Sequence, residues 1–138
     1  MADVHDPLTR SYNMSQIRNK NTTPEMIVRK YLFSRGLRYR INDIKLPGKP
    51  DIVFPKYKTV VFINGCFWHK HDNCKYFKWP KTNEVFWKEK LTRNANRDNA
   101  IYEQLKQLEW NVIVVWECEL KPDMRQITLE KLYLMIKS

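Results

Sequence analysis

Apolar residues at helical spacing predict a first helix between residues 23 and 36. Thr23 suits its N-cap, Pro24 suits the first helical position, and Gly36 is typical of its end. Glu25 places a negative charge near the positive end of the helix dipole. The face expected to be buried consists of Ile27, Val28, Tyr31 and Leu32.

Hydrophobic runs and alternating segments predict strands after this helix. A turn at residues 46–50, rich in Pro and Gly, leads into the second strand. The third strand is apolar enough to lie centrally in a sheet. The predicted strands span residues 37–41, 51–54, 58–64 and 112–116, the last continuing into Glu117 and Cys118.

Further helices complete the predicted fold. Thr82 or Asn83 caps a long helix that runs to about Leu108, and residues 128–137 form an amphipathic helix. The order helix, three strands, helix, strand, helix indicates an α/β fold in which a mixed β-sheet is flanked by helices. Because no linker or repeat divides the chain, we expect one domain over residues 1–138.

The charge of the chain points to a polyanionic partner. The 138 residues have a formal net charge of +10 and a pI near 9.6, and basic residues occur throughout. A positive folded surface favours nucleic acid, although a basic protein without such a partner is the alternative. No stretch resembles a signal peptide or a membrane span, and the 3 cysteines fit no disulfide framework. We therefore expect a cytoplasmic protein with no membrane partner, whose cysteines are thiolate ligands.

The loop after the third strand contains potential zinc ligands. Cys66, His71 and Cys74 lie close together in it, and Cys118 ends the fourth strand, an expected neighbour of the third. Three thiolates and one imidazole make a closed tetrahedral set of the structural kind, which would rigidify the loop. The alternative is free cysteines and an unligated histidine, which spacing alone does not exclude.

Asp51 and His69 are candidates for hydrolytic chemistry beside this loop. If the second and third strands form a hairpin, Asp51 lies next to Ile63 and Asn64, and a carboxylate beside a backbone carbonyl can hold Mg2+. Such an ion can activate water against a phosphodiester, with His69 as acid or base. Glu25 could add a second carboxylate to this site. The alternative is that Glu25 only compensates the positive end of the helix dipole. The alternatives are a turn aspartate and a surface histidine.

Aromatic residues near the loop suggest contact with DNA bases. Phe67 and Trp68 are too large and too adjacent for both to face one core. One face of the long helix combines a ring, a cation and an amide, which suits stacking and base-edge hydrogen bonds. That face consists of Trp87, Lys90, Leu91 and Asn94. The alternative is that these rings only cover the core.

Together, these motifs resemble those of the very short patch repair (Vsr) DNA mismatch endonucleases. The resemblance follows the order of the chain and covers nearly all of it. Its segments are Ala2 to Asp6, Asn13-Met14, Thr23-Pro24-Glu25, Leu46 to Asp51, Gly65 to His69, Phe86-Trp87 and Trp116-Glu117-Cys118. It implies a restriction-endonuclease-like fold. It also implies a Mg2+-dependent nick 5′ of the thymine in a T:G mismatch, which arises when 5-methylcytosine deaminates.

The resemblance implies roles for individual residues. Asp51 and the carbonyl of Ile63 would bind Mg2+, and His69 would act on the attacking water with help from Glu25. The implied zinc ligands are Cys66, His71, Cys74 and Cys118. The implied DNA contacts are the intercalating rings of Phe67, Trp68 and Trp87, a minor-groove wedge at Met14 on an amino-terminal arm (residues 1–20), and Lys90 and Asn94, which read the mispair.

The chain departs from the family's pattern in its active site. A well-studied member has histidine where this chain has Asn64, and that histidine is thought to contact the scissile phosphate. Asn64 can donate a hydrogen bond but cannot transfer a proton, so we expect His69 to supply the acid–base catalysis alone. An extra residue between His71 and Cys74 changes the loop but still permits chelation.

Other functions remain open from the sequence. One is a sequence-specific, restriction-type endonuclease on the same scaffold, and another is a zinc-stabilised DNA-binding module without catalysis. A zinc deaminase is disfavoured, because four protein ligands leave no position for water. The resemblance implies a protein of the bacterial cytosol and nucleoid that works beside mismatch-repair factors and a cytosine methyltransferase. A monomer suffices to nick one strand.

Overall fold

The computed structural model describes residues 22–138. Its helices are α1 (Thr23–Ser34), α2 (Glu84–Gln107) and α3 (Arg125–Lys137). Its strands are β1 (Arg40–Ile41), β2 (Ile52–Phe54), β3 (Thr59–Asn64) and β4 (Asn111–Trp116). Short 3-10 turns at Pro55–Tyr57 and Glu117–Leu120 follow β2 and β4. The predicted order of helices and strands is confirmed over these residues.

The strands form one mixed sheet in the order β1-β2-β3-β4. The pairs β1–β2 and β2–β3 are antiparallel, whereas β3 and β4 are parallel. Helix α2 provides the crossover that a parallel pair requires. Val60, Val61 and Phe62 of β3 are buried, as expected for a strand with a neighbour on each side.

Helices cover both faces of the sheet. On one face, Val61 packs in a core cluster with Leu32 of α1 and Leu132 of α3. On the other face, Phe62 packs in a second cluster with Leu105 of α2. Adjacent residues of β3 therefore point into opposite layers. The predicted α/β fold, a mixed sheet flanked by helices, is confirmed.

Some predicted boundaries were wrong. Thr22 rather than Thr23 is the N-cap of α1: its Oγ1 accepts a hydrogen bond from the backbone N of Glu25 at 3.4 Å. Thr22 has an extended backbone, with ψ of 162°, whereas Thr23 is already helical. Strand β1 is limited to Arg40–Ile41, and the left-handed backbone of Asn42, with φ of 48°, turns the chain away.

The chain after β4 turns instead of extending as predicted. Glu117 and Cys118 lie in the 3-10 turn, where the carboxylate of Glu119 accepts a hydrogen bond from the backbone N of Trp116 at 2.8 Å. This turn moves Cys118 out of the strand direction. Among residues 22–138, no helix has the length and apolar character needed to span a membrane.

The remaining differences concern the starts of α2 and α3. Asn83 occupies the cap position of α2, but its φ is 53° and its side chain makes no capping hydrogen bond. Helix α3 begins earlier than predicted, at Arg125, because its backbone N already bonds to the carbonyl of Lys121 at 2.8 Å.

Candidate active site and metal centre

The ends of β3 and β4 bring potential metal ligands together. These strands are parallel, with Asn64 opposite Trp116, so the residues just beyond each strand lie at the same edge of the sheet. The cluster consists of Cys66, His71, Cys74 and Cys118, whose ligand atoms all lie within 4.8 Å of one another. The cluster predicted from the sequence is therefore an arrangement that can hold a metal ion.

The donor set fits zinc. In a tetrahedral site with Zn–S distances of about 2.3 Å, the ligand atoms lie ~3.8 Å apart, and Cys118 Sγ is 3.6 Å from His71 Nδ1. The His71 ring stacks on Trp116 with a centroid distance of 3.9 Å and an interplanar angle of 4°, which fixes the imidazole plane. Burial raises the pKa of the Cys66 thiol to about 12. A bound cation would favour its thiolate.

The residues between Cys66 and His71 form a tight turn. The backbone N of His71 bonds to the carbonyl of Cys66 at 2.9 Å, and the N of His69 bonds to that of Gly65 at 3.2 Å. Lys70 has a left-handed φ of 50°. Cys66 and His71 thus flank Phe67, Trp68 and His69 in sequence, so an ion held by the cluster would constrain how these side chains are presented.

Asp51 lies beside β3, as the predicted hairpin requires. Its Oδ2 accepts a hydrogen bond from the backbone N–H of Ile63 at 2.6 Å. Burial raises the pKa of Asp51 to about 7, against the opposing effect of the Ile63 N–H. The carboxylate of Glu25 adds to the rise, whereas the charges of His69 and Arg29 lower the pKa. A divalent cation would relieve the repulsion between the carboxylates, and their oxygens are donors that suit Mg2+.

Glu25 is buried rather than exposed at the start of α1. It is 3% exposed, and its Oε2 accepts a hydrogen bond from Nη2 of Arg29 at 2.8 Å, one helical turn away. A favourable helix dipole does not require a carboxylate to be buried, and burial of a charge is costly. The position of Glu25 therefore supports its interpretation as a second carboxylate next to Asp51.

Asp98, on α2, was missed in the sequence. Its Oδ2 lies 2.6 Å from Nδ1 of His69, and the two side chains are 16% and 32% exposed. An ionised carboxylate at this distance requires hydrogen on Nδ1, which leaves Nε2 to exchange a proton. Helical spacing offered a signal, because Asp98 continues the face of α2 that contains Trp87 and Asn94.

Tyr102 was also missed, and it contacts the position that departs from the expected pattern. Asn64 is 3% exposed and donates from Nδ2 to the hydroxyl oxygen of Tyr102 at 2.8 Å. The Tyr102 ring packs on Phe62, with 5.1 Å between centroids. The Asn64 amide is thus held between the sheet and α2 rather than turned into open solvent.

The predicted intercalating rings form one cluster. The ring centroid of Phe67 lies 5.2 Å from that of Trp68 and 5.5 Å from that of Trp87, and the two tryptophans are 5.9 Å apart. All three side chains are half-buried, and they pack on each other outside both core clusters. The proposal that these rings merely extend the main core is therefore disfavoured.

The polar residues beside the rings are placed differently from one another. Asn94 donates from Nδ2 to the carbonyl of Trp68 at 3.2 Å, and its Oδ1 accepts from Arg97 at 3.1 Å. Lys90 is half-buried, whereas Leu91 is fully buried and belongs to the interior. To read a mispair, Asn94 would have to exchange these partners for a base. Met14 and the arm at residues 1–20 lie outside the described residues.

Comparison with known proteins adds an independent line of evidence. Residues 2–75 match the family model described as DNA mismatch endonuclease Vsr. The chain is 52% identical over 121 residues to the Type II nicking enzyme V.NmeAIP of Neisseria meningitidis, covering 88% of this chain and 86% of the relative. It is 46% identical to DNA mismatch endonuclease Vsr of Escherichia coli, covering 88% and 77%. It is 45% identical to the Type II nicking enzyme V.XorIIP of Xanthomonas oryzae, covering 87% and 88%.

Proposed function

Because the chain belongs to the Vsr family of DNA mismatch endonucleases and is a strand-nicking endonuclease, we propose that it nicks duplex DNA 5′ of the thymine in a T:G mismatch. The restriction-endonuclease-like fold implied by the sequence is part of this proposal. The observation that supports it most is that the buried carboxylate of Asp51, fixed by Ile63 N–H, interacts electrostatically with Glu25 and with His69, which directly follows two residues of the aromatic ring cluster.

Mg2+ is the proposed catalytic ion. Asp51, the carbonyl of Ile63 and the neighbouring carboxylate of Glu25 would hold it. When bound, it lowers the pKa of the attacking water and stabilises charge on the leaving oxygen. Ile63 N–H fixes one oxygen of Asp51, so the carboxylate keeps a single orientation, and Arg29 holds one oxygen of Glu25 through their ion pair.

His69 is the proposed acid–base residue. Asp98 would orient the ring by accepting the hydrogen on Nδ1, so that Nε2 can take a proton from water. The zinc cluster has a structural role in this proposal. It fixes the turn that presents His69 and the rings at the edge of the sheet.

Replacement of Asp98 by asparagine should slow nicking while leaving DNA binding intact. Asparagine keeps the size but lacks the charge that selects the Nδ1–H tautomer, so we expect kcat to fall about 10- to 1000-fold. Single-turnover rates and a filter-binding Kd measure the two quantities. Glu103→Gln is a matched control on the same helix, because that side chain is 68% exposed. An unchanged kcat in Asp98→Asn would exclude this role.

The ring cluster is proposed to unstack DNA at the mismatch. Inserted rings separate base steps at a cost of a few kcal/mol, which is smaller where the bases are mispaired. Phe67, Trp68 and Trp87 would stack on the separated bases. Met14, from the amino-terminal arm, would enter the minor groove, and Lys90 and Asn94 would contact the mispair.

Trp68→Ala should reduce the preference for mismatched over matched DNA. Stacking of a base on an aromatic ring contributes about 1–3 kcal/mol, so kcat/KM on a T:G duplex should fall roughly 5- to 150-fold. Competition between labelled T:G and matched duplexes measures the ratio. Phe33→Ala, an exposed ring on α1, serves as the control. Equal discrimination by Trp68→Ala and the parent would argue against intercalation by this ring.

One experiment tests the proposed function directly. The purified protein is incubated with duplexes that carry each possible mismatch or none, with and without Mg2+, and each cut is mapped to the nucleotide. We expect a single nick 5′ of thymine in the T:G duplex that requires Mg2+. Equal cutting of matched duplexes at one sequence would instead favour a sequence-specific nicking enzyme, which the names of several relatives make the second candidate.

A further inference from the structure

The inner face of α2 contacts the active-site segment at successive turns. Two fully buried leucines, Leu91 and Leu105, fix this face against the protein interior. Between them lie Asn94, Asp98 and Tyr102, which share the face by helical spacing. Each forms a hydrogen bond with one residue at the end of β3 or in the loop that follows: Trp68, His69 and Asn64, respectively.

Packing alone does not explain why Tyr102 and Asn64 are paired. An apolar pair would fill the space between β3 and α2 without burying an amide and a hydroxyl, which costs free energy even when they are paired. Asn64 directly follows Ile63, whose N–H holds Asp51. The amide therefore lies at the edge of the catalytic site, where its orientation affects what it can contact.

We propose that Tyr102 is a positioning residue that orients the Asn64 amide toward the scissile phosphate. This inference rests on the proposed function. The amide nitrogen has two hydrogens. One is given to the Tyr102 hydroxyl, and the second donates to a phosphate oxygen of the bound strand. Tyr102 thus acts on Asn64 as Asp98 acts on His69, from the next turn of the same helix.

The environment of the hydroxyl suits this role. Burial raises the pKa of Tyr102 to about 12, the Asn64 amide opposes the rise, and the charges of Asp98 and Asp51 add to it. The hydroxyl therefore stays protonated, and its oxygen accepts the hydrogen bond from the Asn64 amide. The Phe62 ring limits movement of the Tyr102 ring.

Tyr102→Phe tests the inference, because it removes the hydroxyl and keeps the ring on Phe62. With the T:G duplex and Mg2+, we expect kcat to fall roughly 5- to 20-fold, the effect of losing one positioning hydrogen bond, with KM unchanged. Asn64→Ala should be at least as slow. The double variant should be no slower than Asn64→Ala, because the hydroxyl acts through the amide. Tyr133→Phe, on α3, is the control.

A spectroscopic readout separates positioning from stability. The side-chain amide of Asn64 should give a distinct, slowly exchanging pair of NMR signals in the parent, which collapses toward solvent-exposed values in Tyr102→Phe. A parental kcat in Tyr102→Phe, or losses that multiply in the double variant, would overturn the inference while the proposed function stands. A parent protein that leaves the T:G duplex intact would overturn both.

Discussion

Asp51→Ala should reduce the nicking rate by at least ~1000-fold without weakening the binding of a T:G duplex. The variant removes a carboxylate that is fixed by Ile63 N–H at 2.6 Å and lies next to Glu25. Loss of the principal oxygen donor removes the stabilisation of charge on the phosphate in the transition state, an effect worth several kcal/mol. Single-turnover nicking and a Kd measured in Ca2+ buffer separate the two effects.

The controls for this variant distinguish loss of the ion from loss of the fold. Removing a buried carboxylate relieves its cost of burial, so Asp51→Ala should melt no lower than the parent in Mg2+-free buffer. Added Mg2+ should raise the melting temperature of the parent and not of the variant. Asp123→Asn, an exposed aspartate, should behave as the parent in every assay. If Asp51→Ala nicked DNA normally, a binding module with another catalytic centre would be the better description.

Hydrophobic patterns were sufficient to predict the layered fold. Successive apolar residues of β3 predicted a central strand, and the hairpin prediction placed Asp51 next to Ile63, where the structure has it. The meeting of Cys66 and Cys118 also followed, because their strands were expected to be neighbours. The first inference depends on the periodicity of strands and on a short hairpin connection, and the second on the expectation that two apolar strands pair across the helical crossover between them.

The residues contributed by α2 could not be predicted in the same way. The partners His69 and Asp98 are 29 residues apart, and Asn64 and Tyr102 are 38 apart. Their pairing depends on the depth and rotation at which the helix packs on the sheet, which periodicity does not specify. An aspartate and a tyrosine on an amphipathic helix are common without any catalytic role. Only the docked position of α2 shows that they face the site.

Local boundary errors had a different physical origin. Proline is tolerated at either of the first helical positions, so Pro24 did not distinguish Thr22 from Thr23 as the cap. The strand predicted through Cys118 ended early because Glu119 bonds to the backbone of Trp116. This side-chain competition with the strand ladder turns the chain, and it directs Cys118 toward Cys66, His71 and Cys74.

Cys118→Ser should cause the second large effect, a loss of both metal and stability. Structural zinc contributes about 10–16 kcal/mol of apparent binding free energy in small zinc domains. Because this domain also has a hydrophobic core, loss of the zinc should remove only part of its folding free energy. We expect the melting temperature to fall by at least ~10 °C and the zinc content, measured by atomic emission, to fall below one ion per chain. Nicking should be lost as well, because Cys66 and His71 enclose the segment that contains Trp68 and His69.

Cys118→Ser and Asp51→Ala should both slow nicking, but only Cys118→Ser should also lower the melting temperature. Asp72→Asn is the matched control within the loop, because its side chain is 74% exposed and its ion-pair partner is Lys70. It should retain zinc, melting temperature and activity. A Cys118→Ser protein that kept one tightly bound zinc and the parental melting temperature would contradict a structural metal centre. The turn between Cys66 and His71 would then have to be stabilised by its backbone hydrogen bonds and the ring cluster alone.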